Sequence, residues 1–394
     1  MTAYDFDAGT FPAARENPGL VGHEDAERNL RQGFESGRLA HAWLISGPQG
    51  IGKATLAYRF ARYVLAHGTN EGGGDAAGAG LFGESPLPGE TSETPEANGP
   101  LYLAPGHPVF QRVASGGHVD LISVERTINE KTGKLRTEII VDDVRGVGQF
   151  CRLTAGEGGW RVAVIDCADE MNLSAANALL KVLEEPPERA LLLLVSHNPG
   201  RLLPTIRSRC RKLALQPLGD ETVASLIETY RPDLDPGDTT ALARLADGSP
   251  GRALALAAEG GLDLYREMTG LLETLPRLDI AALHAYGTKL GKTGSDEAFR
   301  TATGLLRWWL ARLIMVAAGA AAGGPIGSRG QAAGRFSADD EALISRLGGA
   351  AGLDRWFEVW EKINRLLDKT DPINLNRKQV VLNVFLTLEN AVRP

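Results

Sequence analysis

Cysteine is scarce in this 394-residue chain, with Cys151, Cys167 and Cys210 its only three. An odd number of widely spaced thiols fits neither a disulfide framework nor a four-cysteine zinc site, so buried free thiols are expected. No run of 18 apolar residues occurs, which excludes a membrane-spanning helix of ordinary length. The polar start Met1-Thr2-Ala3-Tyr4-Asp5 lacks the basic and apolar regions of a signal peptide, and a cytoplasmic location is the expectation. Positive charge is also short, with 42 Lys and Arg against 49 Asp and Glu for a net −7. That balance disfavours a protein coated in charge for nonspecific DNA binding, so any nucleic-acid contact must be local. Apolar content of 43% is that of a globular protein, and the length calls for two or three domains.

Against these absences stands Gly47-Pro-Gln-Gly-Ile-Gly-Lys-Ala54, a phosphate-binding loop in every position but the last. Such loops aim successive backbone N–H groups at phosphates, while a lysine reaches the outer oxygens and a Ser or Thr hydroxyl ligates magnesium. Gly47, Gly50, Gly52 and Lys53 supply the first two functions. Ala54 lacks the hydroxyl, and Thr55, one residue on, is expected to point away from a metal. The flanks suit the motif: Ala42 to Ser46 reads as a buried strand and Ala54 to Ala66 as a helix.

Residues 68–100 hold nine glycines and four prolines and few large apolar residues, and they read as a flexible surface insertion. Strand character follows at 119–124 and 138–141, then helical spacing at 142–153 behind an acidic first turn. Arg161 to Asp166 is an apolar run ending in a carboxylate. A helix over Ser174 to Glu185 is stopped by Pro186-Pro187, and another strand spans Ala190 to Ser196. Alternation with continuous apolar strands predicts a parallel sheet covered on both faces, a three-layer α/β domain ending near Leu218. Beyond it helical periodicity dominates, with a Gly/Ala-rich stretch from Ala317 to Gly334 read as a long loop. Trp308, Trp309, Trp356 and Trp360 are expected in core and subunit packing rather than as a base-stacking platform.

Asp166, at the end of an apolar strand downstream of the loop, stands where a carboxylate holds magnesium through water. An active ATPase normally places a glutamate next, to orient the attacking water; here the next residue is Cys167. Asp169 and Glu170 lie past the strand end and are expected to cap the following helix or face solvent. Substitute catalysis by Glu170 is the minority alternative.

Two motifs then make the resemblance specific. Asn177-Ala-Leu-Leu-Lys-Val-Leu-Glu-Glu-Pro-Pro187 and Ile206-Arg-Ser-Arg-Cys210, with Leu39-Ala-His-Ala-Trp43 before the loop, resemble the clamp-loader ATPases of the bacterial replicase. The resemblance extends over essentially the whole chain. It implies a P-loop AAA+ α/β domain over 1–218, a small helical lid over 219–275 and an all-α collar over 276–394 through which the family forms a heteropentamer. Motor subunits of that family carry an intact loop and an Asp-Glu pair, whereas its stator class has a degraded site. Ala54 and Cys167 point to the stator class.

The resemblance further implies that Arg209 reaches across a subunit interface as an arginine finger to a neighbouring motor ATPase. The alternative is a local ion pair. Asn198 occupies a sensor position or else forms the turn at Pro199-Gly200, and Arg252 occupies the lid's sensor position or is a solvated charge. ATP or ADP is a possible ligand, magnesium is in question, and the family's zinc module is replaced by the insertion, so no metal site is carried over. Implied partners are the motor subunits, the delta subunit, the sliding clamp and primed DNA, with no membrane. The chain would be a part of a DNA-directed DNA polymerase holoenzyme with little or no ATPase activity of its own. Competing readings are a motor subunit using Thr55 and Glu170, a P-loop phosphotransferase, and a plain DNA-binding protein. His41 has no partner at metal spacing, and of the basic cluster Arg201, Arg207, Arg209, Arg211 and Lys212 only Arg209 has a motif behind it.

Overall fold

A computed structural model describes residues 12–68, 99–130, 133, 135–321, 338–370 and 372–393. Most of the insertion and of the Gly/Ala-rich stretch lies outside these residues. The described start of that stretch, Ala317 to Ala321, continues a helix rather than a loop, because alanines favour helix where no proline intervenes. Two compact units divide the chain, residues 10–218 and 219–394.

The first unit runs α1 (Glu24–Glu35), β1 (Ala42–Ser46), α2 (Lys53–His67), α3 (Pro108–Ala114), β2 (Leu121–Val124), α4 (Val141–Arg152), β3 (Arg161–Ile165), α5 (Leu173–Glu184), β4 (Ala190–Ser196), α6 (Pro204–Arg209) and β5 (Arg211–Ala214). All five strands are parallel, in the order β2-β3-β4-β1-β5. Strand side chains alternate between two cores. Trp43, Ile45, Val162, Val164, Leu191, Leu193 and Val195 pack under α1, α2 and α3. Ala42, Leu44, Ala163, Ile165, Leu192 and Leu194 pack under α4, α5 and α6. Burial on both faces is why these strands read as unbroken apolar runs, and it gives the three layers expected.

The strand read at 138–141 is reduced to a single bridge between Ile139 and Met171. Val141 already opens α4, because Asp143 reaches back to the Ile140 N–H and ends the extended segment. Of the thiols, Cys151 and Cys210 are buried in the second core, whereas Cys167 is half-buried at the end of β3.

The second unit contains α7 (Asp220–Tyr230), α8 (Pro236–Leu245), α9 (Pro250–Ala258), α10 (Gly261–Glu273), α11 (Ile280–Leu290), α12 (Asp296–Ala321), α13 (Ala338–Gly348), α14 (Leu353–Thr370) and α15 (Arg377–Val392). α7, α8 and α9 pack together, α10 packs on both α9 and α12, and α12, α14 and α15 form the longer bundle with α11 and α13. Trp309 and Trp356 are core residues, whereas Trp360 lies at the surface of α14. It is 38% exposed one helical turn from Phe357, itself 49% exposed. No helix among the described residues is long and apolar enough to cross a membrane.

Candidate functional site

The carboxyl ends of β1, β3 and β4 converge, and the loop leaving β1 crosses them into α2. Gly47, Gly50 and Gly52 have φ of 149°, 77° and 100°, a region that L side chains rarely adopt. Space demands glycine at Gly47 as well, since a Cβ there would stand 2.6 Å from the Leu215 carbonyl oxygen. Gly47→Ala is expected to destabilise the first unit by about 1–3 kcal/mol and to abolish phosphate binding, checked by urea unfolding and nucleotide titration.

Gly52 caps α2 without a side chain, and no acidic residue occupies the helix's first turn. The N–H groups of that turn and the positive end of the dipole therefore suit an anion, and the loop fits a phosphate chain. Lys53, 3% exposed, donates from Nζ to the Pro48 carbonyl at 2.5 Å. Burial pulls its pKa down to about 8 against the pull of Asp166, Cys167 and Asp169. The ammonium form prevails below that value and is lost as pH rises through it. Affinity for a phosphate ligand is thus expected to hold from pH 6.5 to 7.5 and fall about tenfold per unit above 8. A flat titration to pH 9.5 would contradict this role.

Metal chemistry fits less well. Ala54 offers a methyl group, and Thr55 is buried, 4% exposed, within α2. Asp166 stands at the end of β3, where its Oδ1 accepts the Cys167 N–H at 2.9 Å. Cys167 is in the left-handed region at φ 55°, its Sγ 3.7 Å from Asp166 Oδ1 and 3.4 Å from His197 Nε2. Burial, then the charges of Asp166, Glu170 and Asp169, push the thiol up to about 12, so it is neutral and supplies no base.

Asp169 and Glu170 take neither of the roles expected of them, since Asn172 caps α5. Asp169 is buried and accepts the N–H groups of His197 and Asn198 at 3.0 Å each. Burial opposes its charge, but those backbone donors overcome it and hold the carboxyl below its ordinary range. The reason is topological: the 3-10 turn at Ala168–Glu170 brings Asp169 against the end of β4, where it ties the two strand ends together. Glu170 pairs with Arg126, Oε2 to Nε at 2.9 Å, so its carboxylate is engaged away from a water-orienting role.

Of the two roles left open for Asn198, the geometry shows the turn: its Oδ1 accepts the Gly200 N–H at 3.2 Å. His197 is the side chain of that segment that faces Asp166 and Cys167. Its pKa is lowered by burial and then by Lys53, so it is neutral. Sequence reasoning passed over it for its neighbour. It also missed His23, 6% exposed, whose Nε2 lies 2.7 Å from the Ile51 carbonyl inside the phosphate loop. The signal available was only a histidine just before a helix, 28 residues upstream of Ile51, with nothing to say that it folds under the loop.

Arg209 ends α6 with Nη2 2.9 Å from Glu184 Oε1 and Nη1 donating to the Thr205 carbonyl at 3.1 Å. Both partners of the ion pair are exposed at the surface. Elsewhere in the basic cluster, Arg211 lies over the Trp43 ring at 4.6 Å and reaches Asn29. Arg252, in the second unit, has its N–H on Ser249 Oγ and its guanidinium 5.9 Å from the Trp308 ring, with Arg312 also on that ring at 4.5 Å. It is therefore not a fully solvated charge. Burial lowers its pKa against the pull of Asp247. His41 is partly buried at the start of β1, as a packed histidine would be.

A parallel sheet with β4 between β3 and β1, a glycine loop running from β1 into a helix, and a carboxylate at the end of β3 define a P-loop α/β protein. A family model described as DNA polymerase III, delta subunit matches residues 107–219. DNA polymerase III subunit delta' of Pseudomonas aeruginosa is 34% identical over 243 residues, 62% of this chain and 63% of that one. Subunit tau of Escherichia coli is 29% identical over 242 residues, 60% of this chain and 32% of that one. Over the matched part, the chain is similar in sequence to subunits of DNA polymerase III. The matched part spans less than two thirds of either relative's length. Among solved structures, a DNA polymerase III gamma subunit-related protein of Thermotoga maritima is similar at 18% identity, with a TM-score of 0.37, over 93% of this chain and 99% of that one. So distant a likeness adds nothing to what the sheet order establishes.

Proposed function

We propose that this chain is a delta-prime-like stator of the DNA polymerase III clamp loader, which helps to place the sliding clamp on primed DNA during replication. It retains a phosphate-binding loop but not the apparatus of hydrolysis. The observation that carries this reading is the turn at the end of β3. There Asp166 is bound to the backbone and thiol of Cys167, the residue that would orient water is a neutral thiol, and Glu170 is held by Arg126. With Ala54 in the loop, neither metal nor water has the side chain it needs. ATP or ADP would bind through Gly47, Gly50, Gly52 and Lys53 without a direct protein ligand to magnesium.

In the assembly, motor subunits hydrolyse ATP, and Arg209 supplies a guanidinium in trans to a neighbour's γ-phosphate, where a planar fork of donors stabilises developing charge. The residues from 219 onward serve as lid, up to 275, and collar. The exposed Phe357 and Trp360 on α14 suit packing against another subunit of the heteropentamer, which includes the delta subunit.

The test is nucleotide binding and turnover by the purified chain. Lys53→Ala is expected to weaken nucleotide binding by about 10- to 100-fold, the loss of one charged hydrogen bond. Chelating magnesium is expected to change affinity less than about threefold, with no turnover under either condition. Turnover that requires magnesium and vanishes in Lys53→Ala would replace the stator with a motor.

A further inference from the structure

We infer that Glu184 is the positioning residue for Arg209: it holds the guanidinium while no γ-phosphate is in reach and competes for it when one arrives. The inference rests on Arg209 acting in trans, as proposed above. Glu184 is the last residue of α5 and Arg209 the last of α6, two helices that pack on each other. A carboxylate at a helix C-terminus meets the negative end of the dipole, so Glu184 is unfavourably placed on its own. Glu185 caps the helix, and Pro186 and Pro187 after it prevent its continuation. The guanidinium of Arg209 offsets that cost through the 2.9 Å contact to Oε1, while its other nitrogen on the Thr205 carbonyl keeps the side chain folded back along α6.

The strength of this contact suits a reversible hold. Exposed pairs of this kind are weak, because solvent screens them and two long side chains must be ordered. A phosphate with more than one negative charge, offered by a neighbouring subunit in a drier interface, outbids one solvated carboxylate. Arg209 would then leave Glu184 only when a γ-phosphate is present, which ties the finger to the ligand rather than to assembly alone. The motifs containing Glu184 and Arg209, separated by 25 positions in sequence, are thereby two halves of one device.

The experiment compares the full assembly, reconstituted with wild type, Glu184→Gln, Arg209→Ala or the double variant, by single-turnover ATP hydrolysis in the presence of primed DNA. Glu184→Gln removes the competing charge at constant shape, and the hydrolysis rate is expected to rise by about 1.5- to fivefold, the range for an exposed pair. The double variant should match Arg209→Ala, since the effect passes through that arginine. A rate in Glu184→Gln that is unchanged or lower, while Arg209→Ala is slow, overturns the hold and leaves the finger standing. A double variant faster than Arg209→Ala shows that Glu184 acts elsewhere and also overturns it. If Arg209→Ala hydrolyses as fast as wild type, the finger itself is wrong and the hold falls with it. The unfolding midpoint of the isolated Glu184→Gln chain should stay within about 2 °C of wild type, which separates the effect from a structural one.

Discussion

Arg209→Ala in the reconstituted assembly is expected to slow ATP hydrolysis at the neighbouring motor site by about 10³-fold or more, the range of fingers dissected in other phosphoryl-transfer systems. Assembly and the fold of this chain should survive. The side chain is at the surface and its ion pair with Glu184 is exposed, so truncation costs the isolated chain no more than about 1 kcal/mol. The contrast between a large kinetic loss and a negligible stability loss is the signature of a residue whose partner lies on another subunit. Arg209→Lys should recover little, because an ammonium is a point charge and cannot present two parallel donors to a phosphate. The decisive measurement is the single-turnover rate with saturating ATP and primed DNA, alongside size analysis of the complex. An intact complex hydrolysing at the wild-type rate would remove Arg209 from the mechanism.

Much of this architecture was legible because of how the sheet is buried. Strands covered on both faces read as continuous apolar runs, so β1, β3 and β4 stood out, and the elements between them fell to helical spacing. The loop after β1 was legible because glycine marks backbone positions that other residues rarely adopt, and Gly47, Gly50 and Gly52 have positive φ. The extended segment at 138–141 misled because β-branched residues mark strands and also the approach to a helix, and the side chain of Asp143 decided between them.

The fine structure of the site was less accessible. Whether Asp169 or Glu170 points into the site depends on one 3-10 turn and on Cys167 adopting φ 55°, which no spacing rule specifies. Asn198 and His197 are adjacent in sequence but differ in direction at the end of a strand, which residue type alone does not specify. His23 contacts the loop from 28 residues away, a long-range pairing without a periodic trace.

The same helix that begins at the phosphate loop contributes one half of a buried ion pair. Glu27 of α1 and Arg59 of α2 pair at 2.5 Å, with side chains 2% and 1% exposed. Arg59 also donates to the Pro18 carbonyl, and Arg62 donates to the carbonyls of Arg15 and Asn17 at 2.8 and 2.7 Å. Two buried guanidiniums thus pin the segment 15–18 to α2, and Leu20, just beyond it, closes against Gly52. Burial raises the Glu27 pKa despite Arg59, and burial followed by the charge of Arg59 lowers that of Arg62 to about 9. Both directions mean that the charges are held at a desolvation cost that only their contacts offset. Glu27→Ala is therefore expected to destabilise the first unit by about 3–5 kcal/mol, because Arg59 is left buried beside a cavity without its carboxylate. Glu27→Leu combined with Arg59→Met should cost much less than the sum of the two single changes, since neither charge then remains unpaired. Urea unfolding of wild type, Glu27→Leu, Arg59→Met and the double variant measures this cycle, with Glu27→Ala unfolded alongside. A loss below about 1 kcal/mol in Glu27→Ala would mean that water reaches Arg59 and that the carboxylate is not needed to hold it.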